Sequence, residues 1–201
     1  MSLVNYATRE ITCKIVYYGA GRSGKTTNLH YIYGQVPAAR RGQMVSLATQ
    51  TDRTLFFDFL PLDLGSISGF TTRVQLYTVP GQVYYQTTRK LVLQGADGVV
   101  FVADSQARQL EENVESMQDL HANLAEHSVD ARSIPLVIQY NKQDLPRDLI
   151  LSADELEEAL NFRGVASFAA DALHGPGVFE TLRAVSEQVL RRLSTSGSKD
   201  A

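Results

Sequence analysis

A chain of 201 residues with 44% hydrophobic and 20% charged residues has ordinary globular composition, enough for one domain with a substantial core. A net charge of −3 leaves no broad basic field, so no nucleic acid is expected as a partner and the Arg40-Arg41 pair reads as solvated charge. The single Cys13 excludes an internal disulfide; with no leader, no bilayer-spanning run and no lipidation signal at either end, a cytoplasmic chain without a direct membrane anchor is expected.

Ile11, Cys13, Ile15 and Tyr17 alternate with Thr12, Lys14, Val16 and Tyr18, which predicts a strand whose second half is buried on both faces. It runs into Gly19-Ala20-Gly21-Arg22-Ser23-Gly24-Lys25-Thr26-Thr27, a match to the phosphate-cradling pattern G-x-x-x-x-G-K-[ST]. Glycines there let successive N–H groups turn inward as an anion nest. The helix predicted over 25–33, with Leu29, Ile32 and Tyr33 on one face and Gly34 closing it, aims its uncapped N–H groups and positive dipole end at the same phosphates. Lys25 adds a point charge, and the Thr26 hydroxyl is placed to ligate a Mg²⁺ that the phosphates share.

Residues 35–54 read as a long loop that includes at most a short strand. Strands are predicted over 55–60 and 72–79, with Gly65 and Gly69 in the hairpin turn between them, so one strand of this antiparallel pair should lie at a sheet edge. A short helix over 86–94 precedes the apolar run 98–104, a strand buried on both faces. Leu110, Val114, Met117, Leu120 and Leu124 predict a long amphipathic helix, and Pro135 opens the next strand, through Tyr140. Ser152-Ala153-Asp154-Glu155 is a capping box. A short strand over 165–170 and a helix from Val178 to Leu193 follow, and residues 194–201 are expected to be a disordered tail after a single domain over 1–193. The pattern predicts a three-layer α/β fold of the P-loop type, with about six strands, mostly parallel, and one antiparallel hairpin. Ligands of such sheets sit beyond the carboxyl ends of the strands.

Two further motifs fall at that edge. Asn141-Lys142-Gln143-Asp144 follows the strand ending at Tyr140. A carboxylate at Asp144 accepts two hydrogen bonds from N1–H and the 2-amino group of guanine, a pair that adenine does not offer, and such complementarity discriminates by about 10⁴-fold. Alone, this tetrapeptide is more often a solvated turn than a base reader; downstream of the phosphate loop and at a strand end the balance reverses. Between the two lies Thr78-Val79-Pro80-Gly81-Gln82, in which a strand-end glycine can offer its N–H to a γ-phosphate and the glutamine can orient an attacking water; Gln82 alone reads at least as readily as an exposed turn residue.

On these motifs the chain resembles the Ras-like small GTPases, and among them a bacterial polarity and gliding-motility group. The likeness runs from Asn5 to Leu193 and is most specific at Thr51-Asp52-Arg53-Thr54-Leu55-Phe56-Phe57-Asp58-Phe59 and Tyr77-Thr78-Val79-Pro80-Gly81-Gln82. It implies a GTP/GDP switch with Mg²⁺, slow alone and stimulated by a roadblock-fold regulator, monomeric on its own, with polarity or motility effectors and recruitment to a cell pole by partners. By resemblance Thr54 is the switch threonine that reaches Mg²⁺ and the γ-phosphate, Gln82 the water-orienting glutamine and Arg53 an arginine finger in cis; Ala170 contacts guanine through its backbone. Gly19, Gly21, Arg22, Ser23, Gly24, Lys25, Thr26, Thr27, Gly81, Asn141, Lys142 and Asp144 complete the expected nucleotide site. Two positions depart from the common pattern: Thr78 stands where most small GTPases carry an aspartate, and Arg22 stands where a small or apolar residue is usual. They keep open a module that holds GTP or GDP with little or no hydrolysis. A P-loop kinase using ATP fits less well, given Asp144 and no phosphoacceptor or lid domain.

Overall fold

The structure, a computed structural model, describes residues 3–5, 7–47, 57–67, 69–82, 85–127 and 132–196. In chain order the elements are β1 (Leu3–Asn5), β2 (Glu10–Tyr18), α1 (Lys25–Gln35), β3 (Val45–Leu47), β4 (Phe57–Ile67), β5 (Phe70–Thr78) and α2 (Gln86–Leu93). They continue with β6 (Gly98–Asp104), α3 (Leu110–Glu126), β7 (Leu136–Asn141), α4 (Ala153–Leu160), β8 (Ser167–Ala169) and α5 (Val178–Ser196).

The strands form one sheet in the order β3-β4-β5-β2-β6-β7-β8, with β1 added antiparallel to β2. β2 pairs in parallel with β5 on one side and β6 on the other, so the chain reverses its direction of winding at β2. That switch point opens a crevice beyond the carboxyl ends of β2 and β6. Helices cover both faces. Leu29 and Ile32 of α1 pack with Val178, Leu182, Val185 and Val189 of α5 on one; Val92, Met117, Leu120, Leu124, Leu156 and Leu160 of α2, α3 and α4 cover the other. Sandwiched between them, β6 is buried along its whole length, as its unbroken apolar run predicts.

Buried polar side chains tie the layers together. Asn28 of α1 and Gln139 of β7 exchange reciprocal amide bonds of 2.8 and 3.0 Å, Gln139 donates a third to Thr181 of α5 at 3.1 Å, and Asn28 also donates to the Gly24 carbonyl at 3.0 Å. The predicted capping box opens α4, where Ser152 and Glu155 satisfy each other's backbone N–H.

Several boundaries differ from the sequence reading. β1 and β3 add two short strands to the expected six, and β3 takes the edge position expected of the hairpin. β4 runs through Pro61 and Gly65 to Ile67, so the hairpin turn is tighter than predicted and the irregularity is a bulge between Asp63 and Gly65. Beyond Phe59 no named strand flanks the outer side of β4 among the described residues, only an isolated bridge from Arg41 to Leu62; the Pro61 carbonyl accepts from Gly42 N–H there, and the donor that proline lacks faces the same side. α1 continues past Gly34 until Val36 N–H closes it on Ile32 and Pro37 ends it. α5 extends to Ser196, so residues 194–196 are helical rather than tail, and residues 197–201 lie outside the described residues. Among the described residues no helix is long and apolar enough to cross a membrane.

Candidate nucleotide-binding site

Three loops converge at the switch point. The first links β2 to α1, whose N-terminus has no side-chain cap and no acidic residue in its first turn. Its leading N–H groups and dipole are left for an anion. Gly24, with φ of 102°, is required here: a Cβ would fall 2.1 Å from the Asn141 amide nitrogen. That amide donates to the Ser23 carbonyl at 2.8 Å, while the Asn141 oxygen accepts from Ala172 N–H at 2.9 Å. One buried asparagine thus joins the phosphate loop, the end of β7 and the loop after β8.

Lys25 is buried, and its ammonium donates to the carbonyls of Gly19 and Ala20 at 3.0 and 2.6 Å. Burial, reinforced by the nearby Arg89 charge and opposed by Asp58, pushes its pKa down to about 7. Carbonyl dipoles are weak partners for a buried ammonium, and phosphate oxygens would restore its full charge. Lys25, Thr26 and Thr27 line a cavity of about 350 Å³ with Arg22, Gly24, Val79 and Gly81.

The second loop follows β5. Gly81 packs directly on the phosphate loop, where a Cβ would fall 2.3 Å from the Gly21 Cα. Gln82 is exposed and lines an adjoining cavity of about 340 Å³ with Gly21, Arg22, Arg89, Glu112 and Glu115. Arg22 holds a left-handed φ of 60°, is exposed and lines both cavities. Across from it α3 presents Glu112 and Glu115, and no ion pair of Arg22 forms among the described residues.

The carboxylate missing at Thr78 comes from the neighbouring strand. Asp58 of β4, only 3% exposed, accepts from the Thr26 hydroxyl at 2.6 Å, the Ser46 hydroxyl at 2.7 Å and the Thr78 hydroxyl at 2.8 Å; its own N–H donates to Thr78 Oγ1 at 2.8 Å. Thr78 therefore orients a carboxylate instead of providing one. The sequence reading assigned Asp58 no role, yet a signal was there: a lone acid at the start of an apolar strand, bracketed by Phe57 and Phe59. Arg89, fully buried in α2, was likewise passed over.

On the base side, Lys142 adopts φ of 72° and its ammonium meets Asp104 at 2.5 Å. Gln143 donates to the Ser105 hydroxyl at 2.8 Å, and Asp144 is exposed, with its carboxylate within 4.8 Å of Asp171 and His174. Ala170 N–H donates to the Tyr140 carbonyl at 2.8 Å and its carbonyl accepts from Gln143 N–H at 3.0 Å, so its backbone extends the β7–β8 ladder. The adjoining turn is capped by Asp171, which accepts from the N–H groups of Leu173 and His174 at 3.0 and 3.1 Å. Arg53 and Thr54 lie outside the described residues.

A cavity at a helix N-terminus, lined by Lys25, Thr26 and Thr27 and joined by Asn141 to the loop after β8 at the same sheet edge, defines a P-loop nucleotide-binding protein. Comparison with known proteins narrows the class. The model of the ADP-ribosylation factor family matches residues 2–189. The mutual gliding-motility protein MglA of Myxococcus xanthus is 57% identical over 197 residues, covering 98% of this chain and 100% of that one. ADP-ribosylation factor-like protein 6 of Caenorhabditis elegans is 26% identical over 188 residues, covering 90% and 88%; its Caenorhabditis briggsae counterpart is 26% identical over 191. The chain belongs to the ADP-ribosylation factor family of small GTPases. It is a GTP-binding switch that hydrolyses GTP to GDP and phosphate.

Proposed function

We propose that this GTPase switch serves cell polarity and gliding motility, as the printed name of its Myxococcus relative suggests, binding effectors in its GTP state. The observation that carries the mechanistic part is the Asp58 carboxylate set on the Thr26 hydroxyl at 2.6 Å. It supplies the acid that Thr78 lacks, which supports hydrolysis over the non-hydrolysing module.

N–H groups at the open end of α1 and the Lys25 ammonium bind the phosphates; Asn141, Lys142 and Asp144 hold and read the guanine. The hard-oxygen set fits Mg²⁺: Thr26 and Thr54 would hold it, with Asp58 as the nearby carboxylate. When bound, the ion neutralises charge on the β- and γ-phosphate oxygens. Gly81 contacts the γ-phosphate through its N–H, Gln82 orients the water that attacks the γ-phosphorus, and Arg53 stabilises charge on the transferring oxygens, a contribution worth about 10³ to 10⁵ in rate where it operates. The bond to the β-phosphate oxygen breaks as the bond to water forms, and the proton leaves with phosphate. An MglB-like regulator of the roadblock fold stimulates the step or the exchange that follows, and partners bring the otherwise monomeric chain to a cell pole.

Single-turnover hydrolysis of bound GTP, with and without a roadblock-fold partner, tests this reading in Gln82→Leu and Arg53→Ala. Stimulated cleavage by the native chain, lost in both variants, is expected. Tight binding with no cleavage in any mixture would replace the mechanism with a non-hydrolysing module.

A further inference from the structure

Arg89 has the largest side chain among those fully buried. Its guanidinium donates to the carbonyls of Gly81 and Pro80 at 3.0 and 3.4 Å, to the Tyr18 hydroxyl at 2.9 Å and to Ser116 Oγ at 3.0 Å, and it pairs with Asp119 at 2.8 Å. Its carbon lies 4.4 Å from the centre of the Tyr18 ring. Asp119 in turn accepts from Gln86 at 2.8 Å, from Asn123 at 3.1 Å and from the Tyr18 hydroxyl. None of these side-chain polar atoms is left without a partner.

A buried ion pair is weak evidence for a stability role, because well-packed apolar residues of the same volume often do as well. What apolar residues cannot do is hold two consecutive main-chain carbonyls. Both carbonyls belong to the turn that sets Gly81 against the phosphate loop and carries Gln82 into place. In trans peptides the N–H points opposite to the C=O, so fixing the Pro80 and Gly81 carbonyls fixes the N–H directions of Gly81 and Gln82, away from the guanidinium. Three elements converge on that anchor: Tyr18 at the end of β2, Arg89 and Gln86 on α2, and Ser116, Asp119 and Asn123 on α3.

We infer that Arg89, held by Asp119, is a positioning residue for GTP hydrolysis: it locks the Pro80-Gly81 turn so that Gly81 and Gln82 meet the γ-phosphate and the attacking water. The inference rests on the roles proposed for Gly81 and Gln82. Arg89 lines the cavity beside Gln82, but its guanidinium donors go to Pro80, Gly81, Tyr18, Ser116 and Asp119, so the proposed action runs through that backbone. Planarity and the fork of donors are essential to it, so lysine is no substitute.

The test is single-turnover hydrolysis by nucleotide-loaded Arg89→Met, Arg89→Lys, Asp119→Asn and Gln82→Leu, with fluorescent-GDP affinity and unfolding temperature measured on each. Arg89→Met and Arg89→Lys are expected to hydrolyse about 10²-fold more slowly, the loss typical of a small misplacement of reacting groups, with GDP affinity within about 3-fold of native. Asp119→Asn, which keeps the fork and loosens its seat, is expected to lose about 10-fold. A merely structural role would lower the unfolding temperature and leave the rate on loaded protein unchanged. Native rates in Arg89→Lys and Asp119→Asn would overturn the inference even if Arg89→Met fails to fold. Slow Arg89 variants beside a native-rate Gln82→Leu would support the latch through Gly81 and refute only the role of Gln82.

Discussion

Replacing Asp58 with asparagine keeps its shape and removes its charge, and the structure says where the loss will be felt. Its two oxygens take three hydroxyl groups, at 2.6, 2.7 and 2.8 Å, one of them from Thr26, the proposed Mg²⁺ ligand. Removing a carboxylate that supports a metal ligand typically weakens metal affinity by about 10- to 100-fold. That corresponds to about 1.4 to 2.8 kcal/mol. The assay is release of a fluorescent guanine nucleotide as free Mg²⁺ is varied: the half-point for retention should rise by that factor in Asp58→Asn. Thr78→Asp gives the converse. Alone it sets two carboxylates in one buried spot, which disfavours ionisation of both and should also weaken Mg²⁺ binding. Combined with Asp58→Asn it returns the acid to the common position and should restore the half-point to within about 3-fold of native. An Asp58→Asn protein with a native Mg²⁺ half-point and native unfolding temperature would refute the reasoning.

Gly24→Ala should weaken nucleotide binding by at least about 10-fold, because the new Cβ lies 2.1 Å from the Asn141 amide and φ is 102°; equal affinities in a GDP titration would rule this out. Burial pushes the Cys13 thiol up from 9.0 to about 12, with Asp97 adding to the effect. A raised folded pKa leaves its contribution to stability intact below about pH 9 and erodes it between about 9 and 12, as the unfolded chain ionises first. Between pH 8 and pH 10 the native chain should lose about 1 kcal/mol more than Cys13→Ala in urea unfolding, and equal losses would exclude the effect.

The phosphate-loop pattern and Asn141-Lys142-Gln143-Asp144 stood out in the sequence because each is contiguous, and the structure brings the two together through Asn141 and the Ser23 carbonyl. β6 was legible to the residue because burial on both faces leaves no polar position to blur the run. Asp58 was not, since its meaning lies in Thr26 and Thr78, 32 and 20 residues away in the chain. Arg89 was hidden for the same reason: an arginine on a short helix reads as solvated charge until Asp119 and Tyr18 arrive from other elements. The bond from Ala170 N–H to the Tyr140 carbonyl was not legible either, because it is one of the long-range pairings that local pattern does not reveal. Pro61 and Gly65 lie inside β4, because Pro61 falls past the end of β3, where its missing donor costs no ladder bond, and Gly65 makes the bulge.

The amide pair of Asn28 and Gln139 makes the molecule a gauge. Asn28 bonds the Gly24 carbonyl in the phosphate loop, Gln139 sits two residues before Asn141 on β7, and Asn141 returns to the Ser23 carbonyl. The closed loop of hydrogen bonds sets a fixed span between the phosphate loop and the carboxyl end of β7. On the roles proposed for these two ends, a ligand would be measured as well as read: a free base or a bare phosphate would satisfy one end, and a nucleotide of the right length both.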